Sequence, residues 1–158
     1  MQYRAIVAYA PNQVIALNNL AYGLAVYKGA AEEALPLAER AAAVHGNVQT
    51  FEDVLRLVER AATRNVNVNV STVLDTVAWV QHLLGRQADA ERTMDATLNA
   101  SPPEDAEIFW HAAVIFSGAK NHPRARQMLQ KAVKLNPSIA ERPEARDLQQ
   151  RLSERPLP

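Results

Sequence analysis

The residues best suited to metal binding or to proton transfer near neutral pH are four histidines, His45, His82, His111 and His122. No two of them stand four positions apart, no His-Glu-x-x-His segment occurs and there is no cysteine. The spacing therefore supplies no zinc ligand set and no thiolate nucleophile. Ser71, Ser101, Ser117, Ser138 and Ser153 fall in no Gly-x-Ser-x-Gly context, and the five glycines are scattered rather than gathered into a phosphate-cradling loop. The acidic pairs Glu32-Glu33, Glu52-Asp53 and Glu104-Asp105 stand at expected helix starts. Negative charge is favoured there by the helix dipole and the free backbone N–H groups, without any catalytic role. The expectation is a non-enzyme with no catalytic residue, no cofactor and no metal site.

The elements that would position a binding surface follow from composition and period. Of 158 residues 48% are apolar, 28 are alanine and only 6% are aromatic, which favours close-packed helices over sheets. Lys plus Arg (17) equals Asp plus Glu (17), so the chain lacks the cationic excess that phosphate binding requires, and nucleic acid is not an expected partner. Its longest apolar runs, Ile6 to Ala10 and Ala112 to Phe116, fall far below the roughly 18 residues of a membrane span. No basic segment with an apolar stretch follows Met1, so no secretory signal is read and a cytoplasmic location is the default expectation.

An internal repeat organises most of the chain. Leu74, Ala78, Gly85, Ala90, Met94, Thr97 and Pro102 match Phe109, Ala113, Lys120, Ala125, Leu129, Ala132 and Pro137, always at an offset of 35. An earlier copy is visible in Leu17, Ala21, Ala34, Ala38 and Ala41, with one additional residue in its turn near Lys28 and Gly29. Each copy reads as two helices. In the second copy these are Thr72 to Leu84 and Ala88 to Asn99, stopped by Gly85-Arg86 and by Ser101-Pro102-Pro103. Leu17 and Leu74 are 57 residues apart, 22 more than the period, so a segment is inserted. In it VLRLVERAA (54–62) echoes ALPLAERAA (34–42) at six of nine positions, twenty residues on. Thr50-Phe51-Glu52-Asp53 reads as a capping box, and a helix from Phe51 to Arg64 is predicted, followed by an extended linker over Asn65 to Val70 and an N-cap at Ser71.

The segments LNNLAYGLAVYKGAAEEALPLAERAA, VLDTVAWVQHLLGRQADAERTMDATLNASP and IFWHAAVIFSGAKNHPRARQMLQKAVKLNP resemble the tetratricopeptide repeat, a helix-turn-helix unit of about 34 residues. The chain departs from that pattern at Ala21 and Ala78, where glycine is frequent, at Thr97, where alanine is usual, and at Gln81, where an aromatic is common. The resemblance implies an all-α, right-handed superhelix of antiparallel hairpins forming a single domain over residues 1–158. Its parts would be a remnant helix (1–11), repeat 1 (12–46), an inserted helix and linker (47–70), repeat 2 (71–103), repeat 3 (104–138) and a C-terminal capping helix and tail (139–158). The start of the chain reads as the last turns of a helix from a preceding repeat, as in a piece of a longer array.

The same resemblance implies that the first helix of each unit lines a concave groove that takes an extended peptide or partner segment. The matching positions are Asn18, Asn19, Tyr22 and Val26, then Thr72, Asp75, Thr76 and Trp79, then Glu107, Trp110, His111 and Val114. Asn19 suits a backbone clamp, because an amide both donates and accepts. Trp79 and Trp110 suit apolar anchoring or packing against a neighbouring unit. No Lys or Arg occupies these positions, and a free carboxylate would meet Asp75 and Glu107, so a carboxylate clamp is not expected. The alternative is self-association or docking in a larger assembly, through the inserted helix or the open N-terminal end.

Overall fold

The computed structural model describes residues 2–64, 69–100 and 104–153, and among these the chain is all-α. The helices are α1 (Gln2–Tyr9), α2 (Val14–Lys28), α3 (Ala31–His45), α4 (Phe51–Thr63), α5 (Ser71–Leu83) and α6 (Gln87–Ala100). They continue with α7 (Ala106–Gly118), α8 (His122–Leu135), a 3-10 turn over Pro137–Glu141, and α9 (Pro143–Ser153). By packing, the chain forms two compact units, Met1–Pro102 and Pro103–Pro158. The linker expected over 65–70 lies largely outside the described residues, as does the Ser101-Pro102-Pro103 helix stop.

Short connections of two or three residues pair α2 with α3, α5 with α6 and α7 with α8 as antiparallel hairpins. The matched small residues are where the helices meet. Ala21, Ala34, Ala38 and Ala41 in the first hairpin, Ala78 and Ala90 in the second, and Ala113, Ala125 and Ala132 in the third are all fully enclosed. A methyl group at the crossing lets two backbones approach closely, and a larger side chain there would overpack it.

The turns repeat as closely as the crossings. Gly29, Gly85 and Lys120 have φ of 64°, 73° and 63°, the left-handed conformation of a helix C-terminus. In the second and third hairpins Arg86 N–H donates to the Gln81 carbonyl and Asn121 N–H to the Phe116 carbonyl, at 2.9 and 2.8 Å. In the first, the Leu24 carbonyl accepts from both Gly29 and Ala30, so the additional residue is absorbed as extra length in α2 ahead of Gly29. The two departures at Gln81 and Thr97 are tied together: Thr93 Oγ1 donates to Gln81 Oε1 at 2.8 Å, and Thr97 Oγ1 donates to the Thr93 carbonyl at 2.9 Å. All three side chains are buried, and these bonds satisfy polar groups that would otherwise be costly between α5 and α6.

The inserted helix α4 uses the register of the segment it echoes. Val54, Leu55, Val58 and Ala61 are buried, as are their counterparts Ala34, Leu35, Ala38 and Ala41 in α3. The Thr50 capping box forms, with Thr50 Oγ1 accepting from Asp53 N–H at 3.2 Å and the Asp53 carboxylate accepting from Thr50 N–H at 3.2 Å. Two local expectations are corrected. Ser71 is the first residue of α5 rather than its cap, because Val70 holds the cap position with its side chain in the core. The capping helix expected within residues 139–158 begins at Pro143 after a 3-10 turn, since proline lacks an N–H and fits the first helical position.

Lys120 holds without a glycine the backbone conformation that Gly85 holds with one. Lys120→Gly should raise unfolding stability by about 0.5 kcal/mol, the left-handed strain relieved less the added freedom of the unfolded chain. Gly85→Ala, with open space around the new methyl, should lower it by about 1 kcal/mol. Urea unfolding midpoints of the two variants check both signs.

Candidate functional site

In the first unit the site residues stand on α2 and α5, which pack against each other and against α3. Asn18, Asn19, Tyr22 and Val26 follow one stripe of α2, and Ile15, three residues before Asn18, extends it. Ile15 is 65% exposed and Val26 39%, while Asn18, Asn19 and Tyr22 are half-buried. The Tyr22 ring meets Tyr27 edge-on, with centroids 6.4 Å apart. Asn18 Oδ1 is enclosed and has no hydrogen-bond partner among the described residues.

On α5 the four positions separate by burial. Thr72 is exposed and Trp79 half-buried, its ring 5.4 Å from that of His82, whereas Asp75 and Thr76 are buried. Thr76 Oγ1 turns back to the Thr72 carbonyl at 3.4 Å. In the second unit, Trp110 and His111 of α7 are buried and Glu107 and Val114 half-buried. Of the twelve expected contact residues, Asp75, Thr76, Trp110 and His111 therefore offer a ligand little surface. Sequence reasoning passed over Ile15, whose signal was present in its spacing from Asn18, Tyr22 and Val26.

The charge at Glu107 also differs from the expectation. Arg142 donates to both carboxylate oxygens, to Oε2 at 2.8 Å and to Oε1 in a shorter contact. That hydrogen bonding, with the nearby positive charge, holds the Glu107 carboxyl below its ordinary value against the opposing effect of burial. The acid expected to repel a carboxylate is thus already matched by a cation. Glu107 and Arg142 are 35 residues apart, the repeat offset itself, which is the signal that would have linked them.

The apolar face of α4 is covered within the chain, by α3 and α6, and Arg92 of α6 clasps Glu52 at 2.8 and 3.3 Å. That removes the inserted helix as an open apolar surface. By contrast α1 buries no residue, and Tyr3, Ile6 and Tyr9 are 42%, 41% and 93% exposed. Among the described residues no helix is long and apolar enough to cross a membrane. No protein-family model matches the chain, and no curated protein matches it.

Because its folded-state value lies below the unfolded one, Glu107 stabilises the fold at pH above 4.5 and loses that contribution as the pH falls below it. Glu107→Gln should therefore melt below the wild type at pH 7, with the gap narrowing as both are taken to pH 3. Thermal melts across that range test the sign.

Proposed function

We propose that this chain is a non-catalytic protein-interaction module, a right-handed solenoid of tetratricopeptide-like hairpins that binds an extended peptide or partner segment along the first helices of its repeats. The carrying observation is the α2 stripe, where the apolar side chains of Ile15 and Val26 stand open on either side of the partnerless Asn18 oxygen. An enclosed acceptor without a donor costs about 1–3 kcal/mol. A peptide N–H that reached that oxygen would supply the missing donor and recover the deficit on binding. Asn19 and Tyr22 add polar groups beside it, and Trp79 and Thr72 continue the surface on α5. The hairpin packing orders this surface before a ligand arrives, so the ligand bears most of the ordering entropy. The repeated crossings and left-handed turns support the tetratricopeptide-like reading.

A second reading is favoured by α1, which packs on α2 but leaves Tyr3, Ile6 and Tyr9 as a partly exposed apolar stripe. In that reading the chain self-associates or docks through its N-terminal helix.

Selection from a displayed random-peptide library should enrich peptides that bind the wild type and lose at least about tenfold in affinity on Ile15→Asp with Val26→Asp, with helical circular dichroism unchanged. Failure to enrich any peptide, or equal affinity for the variant, would reject the α2 stripe. For the second reading, light scattering should show mass rising with concentration and returning to the monomer value on Ile6→Asp with Tyr9→Asp. A constant monomer mass at all concentrations would exclude it.

A further inference from the structure

Two pairs of side chains recur at equal register on neighbouring helices of the first unit. Tyr22 and Val26 of α2 stand 57 residues before Trp79 and Leu83 of α5, the offset that also relates Leu17 to Leu74. Each pair is spaced four residues apart, so an aromatic ring and an aliphatic side chain adjoin on one helix face. Val26 and Leu83 are 39% and 44% exposed, and the two rings are half-buried. Each ring is braced from nearby in the chain: Tyr22 meets Tyr27 edge-on, and Trp79 lies 5.4 Å from His82, whose Nδ1 is 2.9 Å from Gln87 Oε1. The two faces are therefore ordered before a ligand arrives. Formal charge on these helices is confined to Lys28, at the end of α2, and Asp75, which is buried.

The spacing of the two faces selects a ligand conformation. Helices in contact lie about 8–10 Å apart, and α2 packs on α5. A ligand crossing both must return a side chain to the same side at about that interval. An extended strand does so every second residue, at about 7 Å, and an α-helix every turn, at about 5 Å. A polyproline II segment does so every third residue, at about 9 Å, and fits. The chemistry agrees with the spacing. Proline is apolar and uncharged, aromatic-lined surfaces take it, and its preformed conformation lowers the ordering cost. Asn19, one turn before Tyr22, has an amide N–H group for ligand carbonyls, which find no donor within polyproline II itself. We propose that the ligand of this module is a proline-rich segment in the polyproline II conformation, crossing from α2 to α5 with prolines three residues apart on the Tyr22/Val26 and Trp79/Leu83 pairs. This inference rests on the interaction-module reading and names the class of ligand within it.

The probes are two capped, uncharged twelve-residue peptides, one of four Pro-Ala-Gln triplets and one of three Pro-Ala-Gln-Ser quartets, titrated into the full-length, isotope-labelled chain. The triplet peptide should shift the amides of Val26 and Leu83 and the indole N–H of Trp79 saturably, with Kd on the order of 100 μM. The quartet peptide, whose prolines fall out of step with the helices, should bind at least about fivefold more weakly. Leu83→Asp should weaken the triplet peptide at least about tenfold. Leu83 is exposed at the end of α5, so this variant is expected to keep the native spectrum elsewhere. Absence of saturable shifts at 1 mM triplet peptide (about tenfold the expected Kd), equal affinity for the two peptides, or unchanged affinity in Leu83→Asp would each overturn the proposal. Concentration-dependent shifts of the same signals without peptide would assign the face to a second copy of the chain and overturn it as well. If library-selected peptides without proline bind through Ile15 and Val26 while the triplet peptide does not, the ligand class is wrong and the interaction-module reading stands; if neither binds, both fall.

Discussion

Close approach of helices at alanine is the contact on which the other features depend. Ala78 of α5 and Ala113 of α7 are fully enclosed, and at a close helix crossing a side chain larger than a methyl group overpacks the contact. Helices held this close need a sharp reversal between them, and the left-handed residues Gly29, Gly85 and Lys120 supply it. With turn and crossing fixed, the outward stripe of each first helix is fixed as well. That places Ile15, Asn18, Tyr22 and Val26 in line on α2. The energy lies in the packing, and the polar groups of the stripe are positioned by it rather than contributing to it.

Much of this was legible because small residues and turn residues leave a periodic trace. An alanine recurring at 35-residue spacing has no cause in helix propensity alone, and the matched turn positions follow the same offset. The echoed segment was equally readable, since ALPLAERAA and VLRLVERAA bury the same four positions in α3 and α4. What escaped notice were contacts between residues distant in sequence. Arg142 reaches Glu107 across all of α8, and Thr93 of α6 satisfies Gln81 of α5. Ser71 was misplaced because a good cap residue stood beside a valine that the core required.

The candidate surface was legible as a stripe but not as an exposure pattern. Helical spacing assigns Thr72, Asp75, Thr76 and Trp79 to one side of α5, yet spacing alone does not separate the residues that reach solvent from those the neighbours enclose. Asp75 and Thr76 fall on the inner margin of that side, and Trp110 and His111 are enclosed likewise on α7. Exposed apolar side chains supply what the pattern omitted. Ile15 and Val26 lie on α2, and Tyr3, Ile6 and Tyr9 mark α1 as the least enclosed helix of the first unit. The inserted helix, amphipathic in sequence, has its apolar face covered by α3 and α6.

The echoed segments offer the most direct test of the packing constraint, because they place the same residue in two environments. Ala42 of α3 is fully enclosed, while its counterpart Ala62 of α4 is exposed. The measurement is the urea unfolding free energy of Ala42→Leu beside that of Ala62→Leu. If methyl-sized contacts hold the helices together, Ala42→Leu loses about 1–3 kcal/mol and Ala62→Leu changes by less than about 0.5 kcal/mol. Equal effects at the two positions, or a stabilised Ala42→Leu, would contradict the account.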